Sequence, residues 1–252
     1  MRFWKTPTVK FRALVPGIDK VMPIVPARNI QHSWLNAVRI DLAEKRKDPE
    51  YLATRNTHTA KCIGISSIMR QGWILRTWQD IFIETNGDGV SCKWRTPIDQ
   101  KLTEMKCDYV DFHTADQFSN FMHNWPSNAL RSIIKINSPW VAEIPDGYLL
   151  LELPVAYGDD SRFTALSGLF DSAHGPAPMN AQLQWHVLNG QTIIKAGTPI
   201  SQYVLVKKEK IDCEVVPYDV KYIDDDIRSL AIESRFQTNY RKLADVFKVT
   251  RN

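Results

Sequence analysis

Residues 138–206 read SPWVAEIPDGYLLLELPVAYGDDSRFTALSGLFDSAHGPAPMNAQLQWHVLNGQTIIKAGTPISQYVLV. Short runs rich in aliphatic, aromatic and β-branched residues alternate there with Gly, Pro and Asp. Strands are predicted at RSIIKI just upstream, then at WVAEI, YLLLELPV, the FTALSGLFD region, NAQLQWHVL, TIIKA and SQYVLVKKEKI. PDG and NGQ supply turns, because Gly reaches left-handed backbone without steric cost. Short strands with turn signals roughly every 8–12 residues predict a mainly β fold, an antiparallel jelly-roll-like barrel or sandwich. Its expected core includes Ile134, Trp140, Leu149, Leu151, Leu169, Leu183, Trp185, Ile193, Ile200 and Val204.

Outward from that stretch the pattern changes. Residues 1–31 are expected to form an extended arm, since Pro7, Pro16, Pro23 and Pro26 bar a long helix. Alternation in TVKFRAL gives that arm one strand. A helix is predicted over 33–48, with Ser33 as its cap, a stripe of Trp34, Leu35, Val38, Leu42 and Ala43, and Lys45, Arg46 and Lys47 at the dipole's negative end. NGDG at 86–89 is a hairpin signal that pairs IFIET with VSCKWRT. ADQFSNFMHNW reads as a short helix with Phe118, Phe121 and Met122 inward. Beyond Pro217 a helix is expected over 222–248, acidic at its start and basic near its end. The organisation expected is one domain over 1–252, with 59–217 as the barrel core.

Composition sets outer limits. The 252 residues are 44% hydrophobic and 24% charged, ordinary values for a globular chain. Thirty-two basic residues against 28 acidic ones leave a net charge of +4, which gives no indication of nucleic-acid binding. Cys62, Cys92, Cys107 and Cys213 have no C-x-x-C spacing and read as buried thiols in a reducing compartment. The first residues contain no apolar signal-peptide core, and no run is long enough to span a bilayer, so a cytoplasmic location without membrane contact is expected.

Few residues carry chemistry. His113 and His123, with Asp108 and Asp111, are the densest group of potential metal ligands. A ten-residue histidine spacing across a helix puts the rings on different faces, so no metal site is expected. Asp171, followed by His174 and Gly175, could orient a water or a sugar hydroxyl. The ordinary alternative is a turn aspartate bonded to its own backbone two residues on. Ser167 lies outside any G-x-S-x-G elbow, and neither a P-loop nor a dinucleotide-binding glycine pattern is present. The eight tryptophans read as core or interface anchors rather than stacking platforms.

Two resemblances add to this reading. PDGYLLLEL, SGLFDS and IIKAGTPISQYVLV resemble the barrel motifs of the dUTPase and dCTP-deaminase superfamily. That resemblance implies a dUTPase-like fold, with Asp171 matching the carboxylate that contacts the sugar and activates water, and Gln202 the motif glutamine. Ser167 and His174 flank the same motif. The chain departs from the family after the aspartate, where Ala173-His174-Gly175 stand in shifted register. It also lacks the upstream aspartate motif for magnesium-bound phosphates, the Arg-Ser-Ser phosphate loop and the Gly-rich tail. Over its whole length the chain is similar to uncharacterised proteins of large tailed phages, through the segment from Thr59 to Ile65, GWILRTWQDIFIE, GDGVSCKW, the segment from His113 to Phe118, KINSPW and IPDGYLLL. That similarity implies a protein of the virion or of the infected bacterial cytoplasm.

Two functions follow as expectations. One is a non-enzymatic structural or interaction protein, without cofactor, that oligomerises or binds other phage proteins. The other is a nucleotide-binding or nucleotide-hydrolysing protein that uses Asp171, with Ser167, His174 and Gln202 at the ligand.

Overall fold

The structure is a computed structural model that describes residues 6–49, 62–98, 107–118 and 124–217. The described residues fall into two compact units, one drawn from 6–30 and from those described between 69 and 209, the other from 31–49, 62–68 and 210–217.

The first unit carries the strands: β1 (Lys10–Ala13), β2 (Val25–Pro26), β3 (Trp73–Arg76), β4 (Ile81–Asn86), β5 (Cys92–Arg95), β6 (Val110–His113), β7 (Ile133–Ile136), β8 (Trp140–Glu143), β9 (Tyr148–Leu153), β10 (Phe163–Ala165), β11 (Gly168–Asp171), β12 (Ala177–Pro178), β13 (Ala181–Trp185), β14 (Asn189–Ile194) and β15 (Pro199–Lys207). They pair, all antiparallel, into sheets of order β1-β8-β12, β10-β13-β7-β6, β11-β9-β15-β3-β2 and β14-β4-β5. Helices are few among the described residues, so the fold is of the mainly β class expected from the sequence.

The NGDG hairpin forms between β4 and β5. Gly87 and Gly89 take positive φ there, and Asp88 Oδ1 accepts from the N–H groups of Val90 and Ser91, each at 2.7 Å. Gly72 is needed for a different reason. Its φ is +74°, and a Cβ at that position would lie 1.9 Å from the carbonyl oxygen of Tyr203.

Ile134, Leu183, Trp185, Ile200 and Trp140 are buried as predicted, and the Phe163 and Trp185 rings stack at 6.3 Å. Five other expected core residues are placed differently. Leu149, Leu151, Ile193 and Val204 are only half buried, and Leu169 is 59% exposed. Leu150, fully buried, faces inward instead, together with Glu152. The expected core placed Leu149 and Leu151 inward, which by strand alternation turns Leu150 and Glu152 to the other face. Pairing of β9 with β15 sets Glu152 opposite the buried Tyr203 and reverses the choice of face.

In the second unit, α2 (Ser33–Lys45) has no buried residue. Its N-cap position is His32 rather than the expected Ser33, and no side chain caps it. Of the remaining helices, α1 (Ile18–Val21) and α4 (Ala115–Phe118) are single turns, and α3 (Ile63–Arg70) precedes β3. The expected positions of Phe121 and Met122 and the helix over 222–248 lie outside the described residues. No helix among the described residues is long and apolar enough to cross a membrane.

Candidate functional site

The predicted site residues gather around one sheet. In β9, β11 and β15 the side chains of Leu150, Glu152, Phe170 and Tyr203 pack inward, so their alternates face the other way. The register aligns those alternates into two rows across three strands, Leu169–Leu151–Val204 and Asp171–Leu149–Val206. Five of the six are aliphatic. Leu169 is 59% and Val206 38% exposed, so the face presents apolar area to its surroundings.

Asp171 sits at the edge of this face. It caps the 3-10 turn Ser172–His174, with Oδ1 accepting from the Ala173 N–H at 3.0 Å and Oδ2 accepting from Lys208 Nζ at 2.6 Å. The Lys208 bond first, and the Ala173 amide second, hold the carboxyl below its usual range. A carboxylate so stabilised is ionised at neutral pH and takes up a proton reluctantly, a poor starting point for a general base. It can still orient a hydroxyl or meet a cation. His174, in the 3-10 turn, is exposed, as is Ser167, which precedes β11 at the end of the strand away from Asp171.

Gln202 lies on the same face of β15 but is 1% exposed. Its Oε1 accepts from the Ala156 N–H at 3.0 Å and its Nε2 donates to the Gln71 carbonyl at 2.7 Å, so both ends bind backbone. The row Leu169–Leu151–Val204 separates it from Asp171. One sheet face thus holds both residues without bringing their polar atoms together.

Behind that face, Glu152 is 4% exposed. Burial pushes its carboxyl up to about 7, against smaller favourable contributions from Tyr203 and Ser201. Among the described residues no group of three or more potential metal ligands converges. His113 Nδ1 pairs with Gln117 Oε1 at 3.2 Å, and His123 lies outside the described residues.

The apolar outer face was not foreseen. Its signal is the run Leu149-Leu150-Leu151, in which consecutive leucines must supply both sides of a strand.

No protein family profile matches the chain, and no curated protein is similar to it. Solved structures of phage dUTPases are similar to it. A mutant dUTPase from phage phi11 of S. aureus aligns at 11% identity and TM-score 0.36, over 84% of this chain and 97% of that one. A mutant dUTPase of Staphylococcus bacteriophage 80alpha aligns at 11% and 0.36, over 85% and 99%. Another mutant of that dUTPase, with dUpNHpp, aligns at 10% and 0.34, over 85% and 91%. Scores this low leave the chemistry to be argued from this chain's own residues.

Proposed function

We propose that the protein is a non-enzymatic phage protein, structural or interaction-mediating, that associates with copies of itself through the outer face of β11, β9 and β15. The observation that carries this reading is the exposure of Leu169, at 59%, beside Leu151 and Val204 in one apolar row. Apolar area left in water favours association, since burying it is worth about 25 cal/mol per Å². Both signs of charge stand at the edge of the face, in the ion pair Asp171–Lys208, so a second copy can meet opposite charges at the rim. Sedimentation velocity of the full chain tests it. The wild type is expected to sediment above the 29.0 kDa of one chain, and Leu169→Asp to restore the single-chain value. A wild type that stays a single chain at high concentration sinks the proposal, as does an assembly indifferent to Leu169→Asp.

A second reading keeps a nucleotide at Asp171. It is favoured by Lys208 and His174, two groups able to meet a phosphate, beside a carboxylate able to hold a sugar hydroxyl. Nucleotide binding or turnover that disappears in Asp171→Ala would promote it, and activity that survives the substitution would remove it.

A further inference from the structure

The sheet β14-β4-β5 has its own second face. Ile81, Ile83, Thr85 and Ile194 are buried, so Phe82 and Glu84 of β4 alternate to the opposite side. The register places Arg95 of β5 and Ile193 of β14 on either side of Phe82, and Lys93 and Gln191 on either side of Glu84. A cleft of about 560 Å³ lies over these residues, within the size of small-molecule sites, roughly 300–1,000 Å³.

Its chemistry is divided. Along one row, the Arg95 guanidinium is held over the Phe82 ring, 5.0 Å from its centroid, with Ile193 beside it. A guanidinium stacked on an aromatic ring is a flat cationic platform. Along the other row, Gln191 Nε2 donates to Glu84 Oε2 at 3.0 Å. The amide oxygen and the second carboxylate oxygen are then left to accept from a ligand. Neither Lys93 nor Arg95 has a carboxylate partner among the described residues.

We propose that this face binds a nucleotide unit whose base carries an exocyclic amino group. The base stacks on the Arg95–Phe82 platform, its amino edge donates to Glu84 and Gln191, and its phosphate meets Lys93. The Glu84 carboxylate decides the class. It repels any ligand that presents an anionic edge there, so the ligand must place donors at Glu84 and its negative charge toward Lys93 and Arg95. A planar donor-bearing edge with a separate anionic end describes a cytosine, adenine or guanine nucleotide, and carboxylates pair with the cytosine amino group in this way. Planar arginine and aromatic side chains are standard stacking partners for unpaired bases. Free nucleotide and single-stranded nucleic acid present the same unit. The proposal shares no residue with the self-association face.

Calorimetric titration of the full chain at low salt, with dCMP, dAMP, dGMP and dTMP, tests it. A short labelled oligodeoxycytidylate and oligothymidylate are read in parallel by anisotropy, with inorganic phosphate and pyrophosphate as base-free controls. dCMP or the cytidylate strand is expected to bind more tightly than its thymine counterpart. Arg95→Gln should weaken binding by about tenfold. Arg95→Lys, which keeps the charge and loses the planar platform, should weaken it nearly as much. Glu84→Gln should erase the preference for cytosine over thymine. Thermal midpoints like the wild type's identify folded variants, and sedimentation of the same variants should be unchanged whether or not the chain self-associates. Mononucleotide binding identifies the free nucleotide as the ligand, and binding of the strands alone identifies single-stranded nucleic acid. The proposal is overturned if nothing binds, if pyrophosphate binds as well as the nucleotides, if Arg95→Gln binds like the wild type, or if Glu84→Gln leaves base preference intact.

Discussion

Glu152 stands directly opposite Tyr203 where β9 pairs with β15, and neither Glu152 Oε1 nor the Tyr203 hydroxyl closes a hydrogen bond among the described residues. Ser201 Oγ, on the same side of β15, is also without a partner. Burial, and then the neighbouring Glu152, raises the Tyr203 phenol well above its ordinary value. An ionisable group at this place costs stability whenever it is charged.

Unfolded, Glu152 titrates near 4.5, and folded it titrates near 7. Below the lower value the carboxyl is neutral in both states and exacts no penalty. As pH rises from about 4.5 to about 7 the unfolded chain ionises first, and stability falls by about 3 kcal/mol. Glu152→Gln should remove that fall, so urea melts of both proteins at pH 4.5 and pH 8 should diverge only at the higher pH. Parallel curves would mean that the carboxylate is solvated in the fold.

Leu150 and Leu151 are neighbours with opposite surroundings. Leu150→Ala opens a cavity in the core and should cost about 2–5 kcal/mol. Leu151→Ala, on the outer face, should cost the single chain distinctly less and lower the tendency to associate. Denaturation at low protein concentration separates the two effects, and equal costs would refute the register described for β9.

Gly72→Ala should be among the more damaging single-methyl additions. The new carbon has no room beside the Tyr203 carbonyl, and the positive φ adds strain of about 1–3 kcal/mol. A chemical-denaturation midpoint equal to the wild type's would contradict the close approach of these two backbones.

The thiols should react in a fixed order. Cys213 is exposed, whereas burial pushes the Cys92 thiol up to about 11. With a chromogenic disulfide reagent at pH 8, Cys213→Ser should abolish the fast phase, while half-buried Cys92, mostly protonated at that pH, should label slowly. Labelling of Cys92 as fast as that of Cys213 would contradict the raised pKa of its thiol.

Much of the β architecture was legible because its signals are local. The NGDG turn sets its own hairpin through Asp88, and the Pro, Gly and Asp residues between 138 and 206 mark strand ends independently of what the strands touch. What lay beyond reading depends on partners distant in sequence. The run YLLLEL supports either inward face, and only pairing with Gly168, Phe170, Tyr203 and Leu205 selects Leu150. Gln202 was legible as a motif residue, yet its two backbone partners, at 71 and 156, leave no trace in its own neighbourhood. The Phe82–Arg95 contact is likewise a cross-strand relation, visible only once the hairpin register is known.

The Gln202 brace also bears on how the chain is made. Its Gln71 partner leaves the ribosome 131 residues earlier, and β3 has no strand to pair with on one side until β15 follows. At roughly 5–20 residues per second, that wait lasts on the order of 10 s. Throughout it Ile74 and Leu75, both buried in the finished fold, are exposed to whatever else is in the cell. The nascent chain is thus most open to chaperone capture before β15 is synthesised, and a stop placed ahead of residue 199 would leave the five-stranded sheet without its third strand.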